Sequence, residues 1–389
     1  MSAVTKKCMR SLAVFTEHLY GGGVEKVLQT LLRNIDTDRY DLTLFTTRNE
    51  YLSKELFSTV NKTRFLFDSL EPGDKLIKVF LKKLRNKIRL FIYYRFPPSF
   101  FYALFVKRKY DVGVAFIEGY ATRILSGGPR GMRKIAWVHT DLAENHWTRV
   151  AFRDDGQELS CYQRYDAVVC VSKRVEEIMR TKFGLAGKTQ VVYNPIDRAK
   201  VLEGAKCVLP NEYKKGARLR LISIGSLIPV KGFERLLRCM SILWEEEFDF
   251  ELFIIGKGIQ ETLLKEIVQS IGLGDRIFFT GYMDNPYPLL STADVYICSS
   301  LAEGLNTAVT EALILGIPVV STNCSGVREL LGDSEFGLIV ENSEEGILYG
   351  LRKVLSDPDY RRDMGMAAVK RGECFSIDRP MADIYSLIR

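Results

Sequence analysis

The sequence predicts an α/β fold, two Rossmann-like, doubly wound parallel-sheet domains in tandem that face a ligand cleft. Three observations predict it. Short apolar runs rich in β-formers alternate with stretches whose apolar residues recur every three or four positions. The alternation breaks at NPID (194–197), passes through a polar stretch rich in Lys and Glu, and then restarts. Charge divides at the same place. Residues 1–200 carry 35 basic and 21 acidic side chains, against 20 and 27 in 201–389, so the halves are net +14 and −7. Two domains with different partners account for that split, and the basic half is the one suited to an anionic surface. The expected domains are 1–196 and 197–375, with a C-terminal helix over 376–389 able to return to the first.

At 389 residues the chain can build two or three domains with sizeable cores, and its composition is that of a soluble globular protein. The eight cysteines, at 8, 161, 170, 207, 239, 298, 324 and 374, form no CxxC pair. Cys170 and Cys298 sit inside apolar strand runs, so the cysteines read as small core residues in a reducing compartment. The opening MSAVTKKCMR has no apolar segment behind it, and no apolar run nears the ~18 residues of a membrane span. A cytoplasmic protein is expected.

The first half opens with the strand SLAVFTE, the loop from His18 and Tyr20 through Gly21, Gly22 and Gly23, the helix VEKVLQTLLRNI and the strand YDLTLFTT. A glycine loop between strand and helix lets backbone approach a phosphate. A tight turn needing positive φ accounts for it equally well. The spacing is not GxGxxG, and no acid follows at the dinucleotide position, which disfavours a Rossmann cofactor.

Residues 74–95 form a basic amphipathic helix. Ile77, Phe80, Leu81, Leu84, Ile88 and Phe91 make one stripe, and Lys75, Lys78, Lys82, Arg85 and Arg89 another, joined by Lys83 and Lys87. Each cation near an anionic leaflet adds ~1 kcal/mol. A helix packed on its own domain with a solvated basic face is the competing reading. The aromatic FPPSFFYALF behind it, read as loop, favours the membrane, whereas no nucleic-acid module surrounds the patch. The strands DVGVAFIE and KIAWVHT follow, the second ending at His139, where a strand's carboxyl end faces a cleft. His146 lies in the next loop. DAVVCVS, the helix KRVEEIMRTKF and the strand TQVVYN complete this half.

The second half continues RLRLISIGSL, FERLLRCMSILW, FELFIIG, ETLLKEIVQSIG and IFFTGYM as strand, helix, strand, helix, strand. GKGIQ lacks a third glycine, so the dinucleotide fingerprint fails again. Residues 293–322, ADVYICSSLAEGLNTAVTEALILGIPVVST, are the most informative. Residues 294–299 make a strand, SLAEGLNT a loop and 307–315 a helix, which Gly316 stops with Pro318 beyond. The strand PVVST follows. A loop ending on a helix N-terminus is a natural anion site, and Glu303 and Glu311 frame it. GLIV and a helix through 351–355 complete the sheet. Backbone amides with Lys231 suit a diphosphate, and carboxylates accept from sugar hydroxyls, a combination that suits a nucleotide sugar.

The chain resembles the retaining glycosyltransferases of the GT-B fold, family 4 (group 1), over almost its whole length. YGGGVEKVL, KIAWVHTD, VVCVSKRV, VVYNPID, SIGSLIPVKGFERLL and FTGYMDN carry the resemblance, and above all EGLNTAVTEALILGIPVVST, which looks like that family's E-x7-E motif. The block is similar to transferases of capsule, O-antigen and exopolysaccharide assembly. The resemblance implies that Glu303 holds the transferred sugar, with the amides of Gly304, Leu305, Asn306 and Thr307 near sugar and phosphate. It implies that Glu311 binds the ribose and that Lys231 neutralises the departing diphosphate. Gly22, Gly23 and Gly225 bring backbone close to that group, His139 contacts the donor sugar, and Tyr282 and Met283 lie where the base is read. The family commonly has arginine where this chain has Ser226, so either Lys231 and the helix dipole suffice or another basic residue substitutes. No metal or other cofactor is implied.

The implied reaction moves a hexose from a UDP-sugar to a hydroxyl of a glycan or lipid-diphosphate-linked acceptor, with retained configuration and no protein nucleophile. Closure around NPID would exclude water, and the basic helix would hold the enzyme at the inner membrane face. A nucleotide-sugar epimerase of the same architecture and a catalytically silent sugar-nucleotide-binding partner are the alternative readings.

Overall fold

The computed structural model describes residues 9–17, 22–47, 60–70 and 73–389. Cys8 and the His18–Gly21 part of the glycine loop lie outside these residues. The chain forms two units. Residues 1–20, 24–193 and 380–389 make the first, and 21–23 and 194–379 the second.

Seven parallel strands build the first unit's sheet: β1 (Arg10–Thr16), β2 (Tyr40–Thr46), β3 (Lys62–Phe65), β4 (Val112–Ala115), β5 (Arg133–Val138), β6 (Ala167–Cys170) and β7 (Thr189–Val191). Their order is β3-β2-β1-β4-β5-β6-β7, all pairs parallel. The chain leaves β1 toward β2 on one side and returns to β4 on the other, which opens a crevice at the carboxyl ends of those strands. Helices cover both faces, so central strands read as unbroken apolar runs; in β1, Leu12 through Thr16 are all buried.

The second unit repeats the plan with β8 (Leu219–Ile224), β9 (Phe250–Ile255), β10 (Ile277–Gly281), β11 (Val295–Cys298), β12 (Val319–Thr322) and β13 (Leu338–Val340), in the order β10-β9-β8-β11-β12-β13. The sheet again reverses direction, between β8 and β11. Two apolar layers sandwich it, one with Leu236, Leu252 and Leu351, the other with Phe253, Val309 and Leu313.

Three stretches differ from their sequence reading. FPPSFFYALF is helical, over Pro98–Phe101 and Tyr102–Val106, because Phe101 and Tyr102 are core residues that need a fixed backbone beneath them. The polar stretch after NPID begins with a helix, Arg198–Ala205, whose N-cap Asp197 accepts from the Lys200 N–H at 3.0 Å. The helix Leu76–Arg95 forms as its spacing demands, but its apolar stripe does not pack on the unit as the competing reading of a helix docked on its own domain required. Its buried residues are Lys82 and Tyr93, while Leu76, Ile77, Phe80 and Phe91 are 63–88% exposed.

The C-terminal helix Asp378–Ile388 packs on the first unit from Pro380 onward. Tyr385 Oη donates to the Asn34 carbonyl (2.6 Å) and accepts from the Asp36 N–H (2.8 Å), and Arg10 donates to the Ile388 carbonyl (3.2 Å). Ile384, Leu387 and Ile388 are buried with Leu12, Val14 and Leu31. Ile384→Ala should therefore cost about 2–5 kcal/mol, read as a lower urea midpoint for the first unit's transition. An unchanged midpoint would show that the helix adds nothing to that core.

Candidate functional site

Backbone forces collect the second unit's polar residues at the carboxyl ends of β8 and β11. Gly232 sits at φ +65°, where a Cβ would lie 2.2 Å from the Ser299 carbonyl oxygen, so the turn Pro229–Lys231 approaches the end of β11 only because residue 232 is glycine. Ser299 Oγ donates to the Lys231 carbonyl at 2.9 Å. Arg235, buried in the helix Phe233–Glu245, donates to the Ser299 carbonyl from Nε (2.9 Å) and Nη2 (2.6 Å) and to the Ser300 carbonyl (2.9 Å). Gly326 does the same from the other side. At φ +74°, its Cβ would meet the Gly304 carbonyl at 2.3 Å.

These constraints deliver three donors to one oxygen. Glu303 Oε1 accepts from Lys231 Nζ (2.6 Å), Ser300 Oγ (2.6 Å) and Asn306 Nδ2 (2.9 Å). Oε2 takes no hydrogen bond among the described residues. Burial works to lower the Lys231 pKa, but the Glu303 charge and hydrogen bond outweigh it and hold the ammonium above its ordinary value. Asn306 is also the N-cap of the helix Thr307–Ile314, its Oδ1 accepting from the Val309 N–H at 3.1 Å. One residue therefore fixes both the helix start and the Glu303 carboxylate. Its Nδ2 also reaches Cys298 Sγ at 3.3 Å, and Cys298 is hydrogen-bonded to Cys324. Both thiols are buried and free, as are Cys161, Cys170 and Cys239, while Cys207 and Cys374 are exposed.

Glu311 is buried eight residues on, and Tyr287 Oη donates to its Oε1 at 2.9 Å. Burial and that carboxylate push the Tyr287 phenol up. Met283 packs in the same apolar layer as Tyr287 and Leu305, and Tyr282 precedes it just past β10. Gly225 donates its N–H to the Ile255 carbonyl (3.0 Å), and the Ser226 carbonyl accepts from the Ile228 N–H (2.9 Å). Gly256 and Gly258 let the following loop press against them, since Cβ atoms there would lie 2.0 and 2.2 Å from the Gly225 and Leu227 carbonyls. The glycines of GKGIQ thus serve packing between strand ends. They also bring Lys257 beside Ser226, its carbonyl accepting from the Leu227 N–H at 2.9 Å.

Gly22 and Gly23, which fall in the second unit, stand at the start of the helix Gly23–Asn34, and the rest of that helix belongs to the first. His139 follows β5 and is buried. Its backbone N–H donates to Glu118 Oε2 (2.9 Å), and its ring lies near Phe116 and Trp137. Burial pulls its pKa down to about 3 despite a hydrogen bond to the Phe116 backbone. A carbonyl only accepts, so the ring donates there from Nδ1, and Nε2 is left a buried acceptor with no partner. His146, in contrast, is tied to Glu158 Oε2 at 2.7 Å and to Lys182 at 3.3 Å. Two acids escaped the sequence reading. Glu17 ends β1 and Glu118 follows β4, both buried on either side of the reversal point. Glu17 Oε1 accepts from the Tyr120 N–H at 2.5 Å, and burial, then the Glu118 charge, raise its pKa to about 8. The available signal was a carboxylate at a strand's carboxyl end next to a glycine loop.

The cations of the basic helix are largely engaged. Lys78 and Lys82 pair with Asp74 (2.8 and 2.6 Å), and Arg85 and Arg89 with Asp68 (2.8 and 3.4 Å). Lys75 is the helix N-cap, and Lys83 is exposed.

Residues 21–200 match the family described as Glycosyltransferase Family 4, and residues 210–371 that described as Glycosyl transferases group 1. Among similar curated proteins, the N-acetylgalactosamine-N,N'-diacetylbacillosaminyl-diphospho-undecaprenol 4-alpha-N-acetylgalactosaminyltransferase of Campylobacter jejuni is 29% identical over 55% of this chain and 57% of its own. The lipopolysaccharide core biosynthesis glycosyltransferase LpsE of Rhizobium meliloti is 27% identical over 52% and 58%. The chain thus spans a little over half the length of these two relatives. Among solved structures, Anabaena Alr3699/HepE in complex with UDP and glucose superposes with a TM-score of 0.75 at 15% identity, over 97% of this chain and 98% of that one. The likeness is one of fold.

Glu17 gives a pH signature. Its folded pKa of about 8 lies above the ordinary 4.5, so the folded state holds a proton that the unfolded state releases. The stabilisation is complete below the ordinary carboxylate range and is lost as pH rises toward 8, at up to about 1.4 kcal/mol per pH unit. Glu17→Gln has no proton to lose. The melting temperature of the unaltered protein should fall relative to the variant between pH 5 and pH 8. Parallel curves would refute the assignment.

Proposed function

The chain belongs to the glycosyl transferases of family 4 and group 1, and from that premise we propose that it moves a hexose from a UDP-linked donor to a hydroxyl of a glycan or lipid-diphosphate-linked acceptor, with retained configuration. The observation that carries the reading is the threefold grip on Glu303 Oε1 beside the start of the helix Thr307–Ile314. A carboxylate held by one oxygen offers the other, Oε2, to sugar hydroxyls. The amides of Gly304 to Thr307 and the helix dipole offer partial positive charge for a diphosphate. Lys231 adds a full one, since an ammonium with three donors can keep Glu303 and still meet a phosphate oxygen. Lys257 is the basic residue placed to substitute for the arginine absent at Ser226. Glu311, oriented by Tyr287, takes the ribose hydroxyls, and Tyr282 and Met283 take the base. In the first unit, Nε2 of the neutral His139 accepts from a sugar hydroxyl.

Charge builds on the leaving diphosphate as the glycosidic bond breaks, and fixed donors there lower the barrier most. The leaving group itself draws the acceptor proton while the acceptor attacks on the same face, so no protein nucleophile is required. With Lys231 and the helix start supplying the positive charge, no metal takes part. The UDP bound to Anabaena Alr3699/HepE and the diphospho-undecaprenol substrate in the Campylobacter relative's name support donor and acceptor class. The relatives' names are those of transferases, which does not favour the epimerase or silent-partner readings.

Attachment to the inner membrane face belongs to the same proposal. Among the described residues no helix is long and apolar enough to cross a membrane. The helix Leu76–Arg95 instead presents Leu76, Ile77, Phe80, Ile88 and Phe91 outward, with Lys75, Lys83 and Lys87 flanking that face for anionic headgroups.

Glu303→Ala should lower kcat/KM by roughly 10²–10³ without changing the thermal unfolding of the protein, and EDTA should leave the rate unaltered. Full activity in the variant sinks the site, and loss in EDTA sinks the metal-free reading. Phe80→Ser with Phe91→Ser should release the protein from phosphatidylglycerol-containing vesicles in flotation; persistent binding refutes the attachment.

A further inference from the structure

A second anion site lies in the first unit, at the foot of the exposed helix. A cavity of about 410 Å³ opens between the segment Arg95–Pro98 and one face of the helix Asp155–Tyr162. Its size falls within the about 300–1,000 Å³ usual for small-ligand sites. Asp154, Gln157, Cys161 and Arg164 follow one another at steps of three and four, so they share that face and line one wall. Arg95 and Arg153 stand at the rim with Arg164, three guanidinium groups against the single carboxylate of Asp154. That carboxylate is already occupied, since its Oδ1 caps the helix by accepting from the Gln157 N–H at 2.7 Å.

Two facts set this cavity apart from an ordinary charged surface. The first is the state of its arginines. Arg85, Arg89, Arg108, Arg149 and Arg174 each have a carboxylate partner, whereas exposed Arg130, Arg133 and Arg180 form no ion pair among the described residues but do not line this cavity. Arg95, Arg153 and Arg164 form no ion pair among the described residues, although they converge on one space. The second is that both walls are fixed. Buried Arg123 ties together the segments that lead into the two walls, donating to the Tyr93 carbonyl, two residues before Arg95, and to the Ala151 carbonyl (3.0 Å), two before Arg153, beneath the Tyr93 ring. Tyr93 Oη also donates to the Ala151 carbonyl, at 3.0 Å. Pro97 and Pro98 fix φ along the first wall, and Gly127 admits it, because a Cβ there would lie 2.2 Å from the Pro98 carbonyl. Guanidinium forks match the paired oxygens of a phosphate, and the fixed backbone beneath them removes the cost of ordering the walls, leaving only that of the side chains.

We propose that this cavity binds a phosphate-bearing group, a phosphomonoester or diphosphate, next to the apolar face of the helix Leu76–Arg95. Phe96, which closes the helix, and Phe100 are exposed beside it, so a headgroup carried on acyl or prenyl chains meets the arginines while its chains meet the apolar face. The lipid-borne form rests on the membrane attachment proposed above; binding of the phosphate group itself does not.

The test uses the whole protein with one equivalent of UDP, which its uridine contacts direct to the donor site, so that a second diphosphate site stays open. Vesicles of phosphatidylcholine with phosphatidic acid are compared with vesicles holding the same fraction of phosphatidylglycerol, and inorganic pyrophosphate is titrated separately by calorimetry. The variant is Arg95→Ala with Arg153→Ala and Arg164→Ala, all exposed positions, with UDP-induced thermal stabilisation as the check on folding. Binding should be roughly tenfold tighter to phosphatidic acid, a preference that the variant loses while keeping its binding to phosphatidylglycerol. Equal binding to the two vesicles, with pyrophosphate bound by the unaltered protein and not by the variant, supports the site with a soluble ligand. Pyrophosphate binding that survives in the Phe80→Ser, Phe91→Ser protein after vesicle binding is gone supports the cavity and rejects only the attachment. No pyrophosphate binding and no vesicle preference, or either one unchanged in the variant, overturns the site.

Discussion

The second unit's functional edge depends on one atom, Glu303 Oε1. Taking a carboxylate and an ammonium out of water costs several kcal/mol per ion, and their mutual attraction roughly repays it. The Lys231–Glu303 pair, 2.6 Å apart with side chains 23% and 10% exposed, is therefore poor currency for stability. What the pair and its two neutral donors do is orient. Three donors on Oε1 fix the carboxylate and leave Oε2 without a hydrogen bond among the described residues, and such preorganisation is what charge stabilisation in a reaction demands. The surrounding backbone is arranged for it. Gly232 and Gly326 accept positive φ so that two loops can lean on the Ser299 and Gly304 carbonyls, and buried Arg235 holds the first of these from behind.

The first unit solves its electrostatics in the opposite way. At its reversal point the buried titratable groups form no ion pair among the described residues. Burial raises Glu17 and Glu118 and lowers His139, so each is pushed toward its neutral form. Neutral groups suit hydroxyl recognition, where hydrogen-bond direction matters more than charge. One cluster thus relies on a partly buried ion pair and the other on groups pushed toward neutrality, although both stand at the carboxyl ends of the same kind of sheet.

Much of this was legible in the sequence, for identifiable reasons. Strands of a doubly wound sheet are buried on both faces and announce themselves as apolar runs, so β1, β2 and β4–β13 could be read directly. Glu303, Asn306, Glu311 and Gly316 were legible because strand, loop, capped helix and glycine stop follow within thirty residues. Arg235 and Tyr287 were not, because they act on partners 64 and 24 residues away, and no local pattern encodes such a pairing. Glu17 and Glu118 were hidden for the same reason, since only the strand order makes β1 and β4 neighbours. Short helices such as Tyr120–Ser126 and Asp155–Tyr162 have too few turns to show a period.

The helix Leu76–Arg95 is where local pattern and burial part company, and the difference constrains what the helix does. Its amphipathic spacing allowed a membrane-facing helix or one packed on its own domain with a solvated basic face. Asp68 and Asp74 pair with four of its cations, of which Lys82 is buried while Lys78 and Arg85 stay exposed, and the apolar stripe is left in water. Leaving one large apolar side chain exposed forgoes about 1.5–3 kcal/mol, and a contiguous apolar patch on a soluble protein marks an interaction surface. The helix is nonetheless held at its far end, where Arg123 binds the Tyr93 carbonyl and Tyr94 Oη donates to the Val150 carbonyl at 2.9 Å. A frayed or misplaced segment would show neither contact. Because the helix is ordered before any partner arrives, the partner gains the apolar burial without repaying the ordering entropy. Two carboxylates, Asp68 and Asp74, offset only part of the helix's positive charge, so the proposed attachment would combine insertion of Phe80 and Phe91 with the attraction of the remaining cations for anionic headgroups.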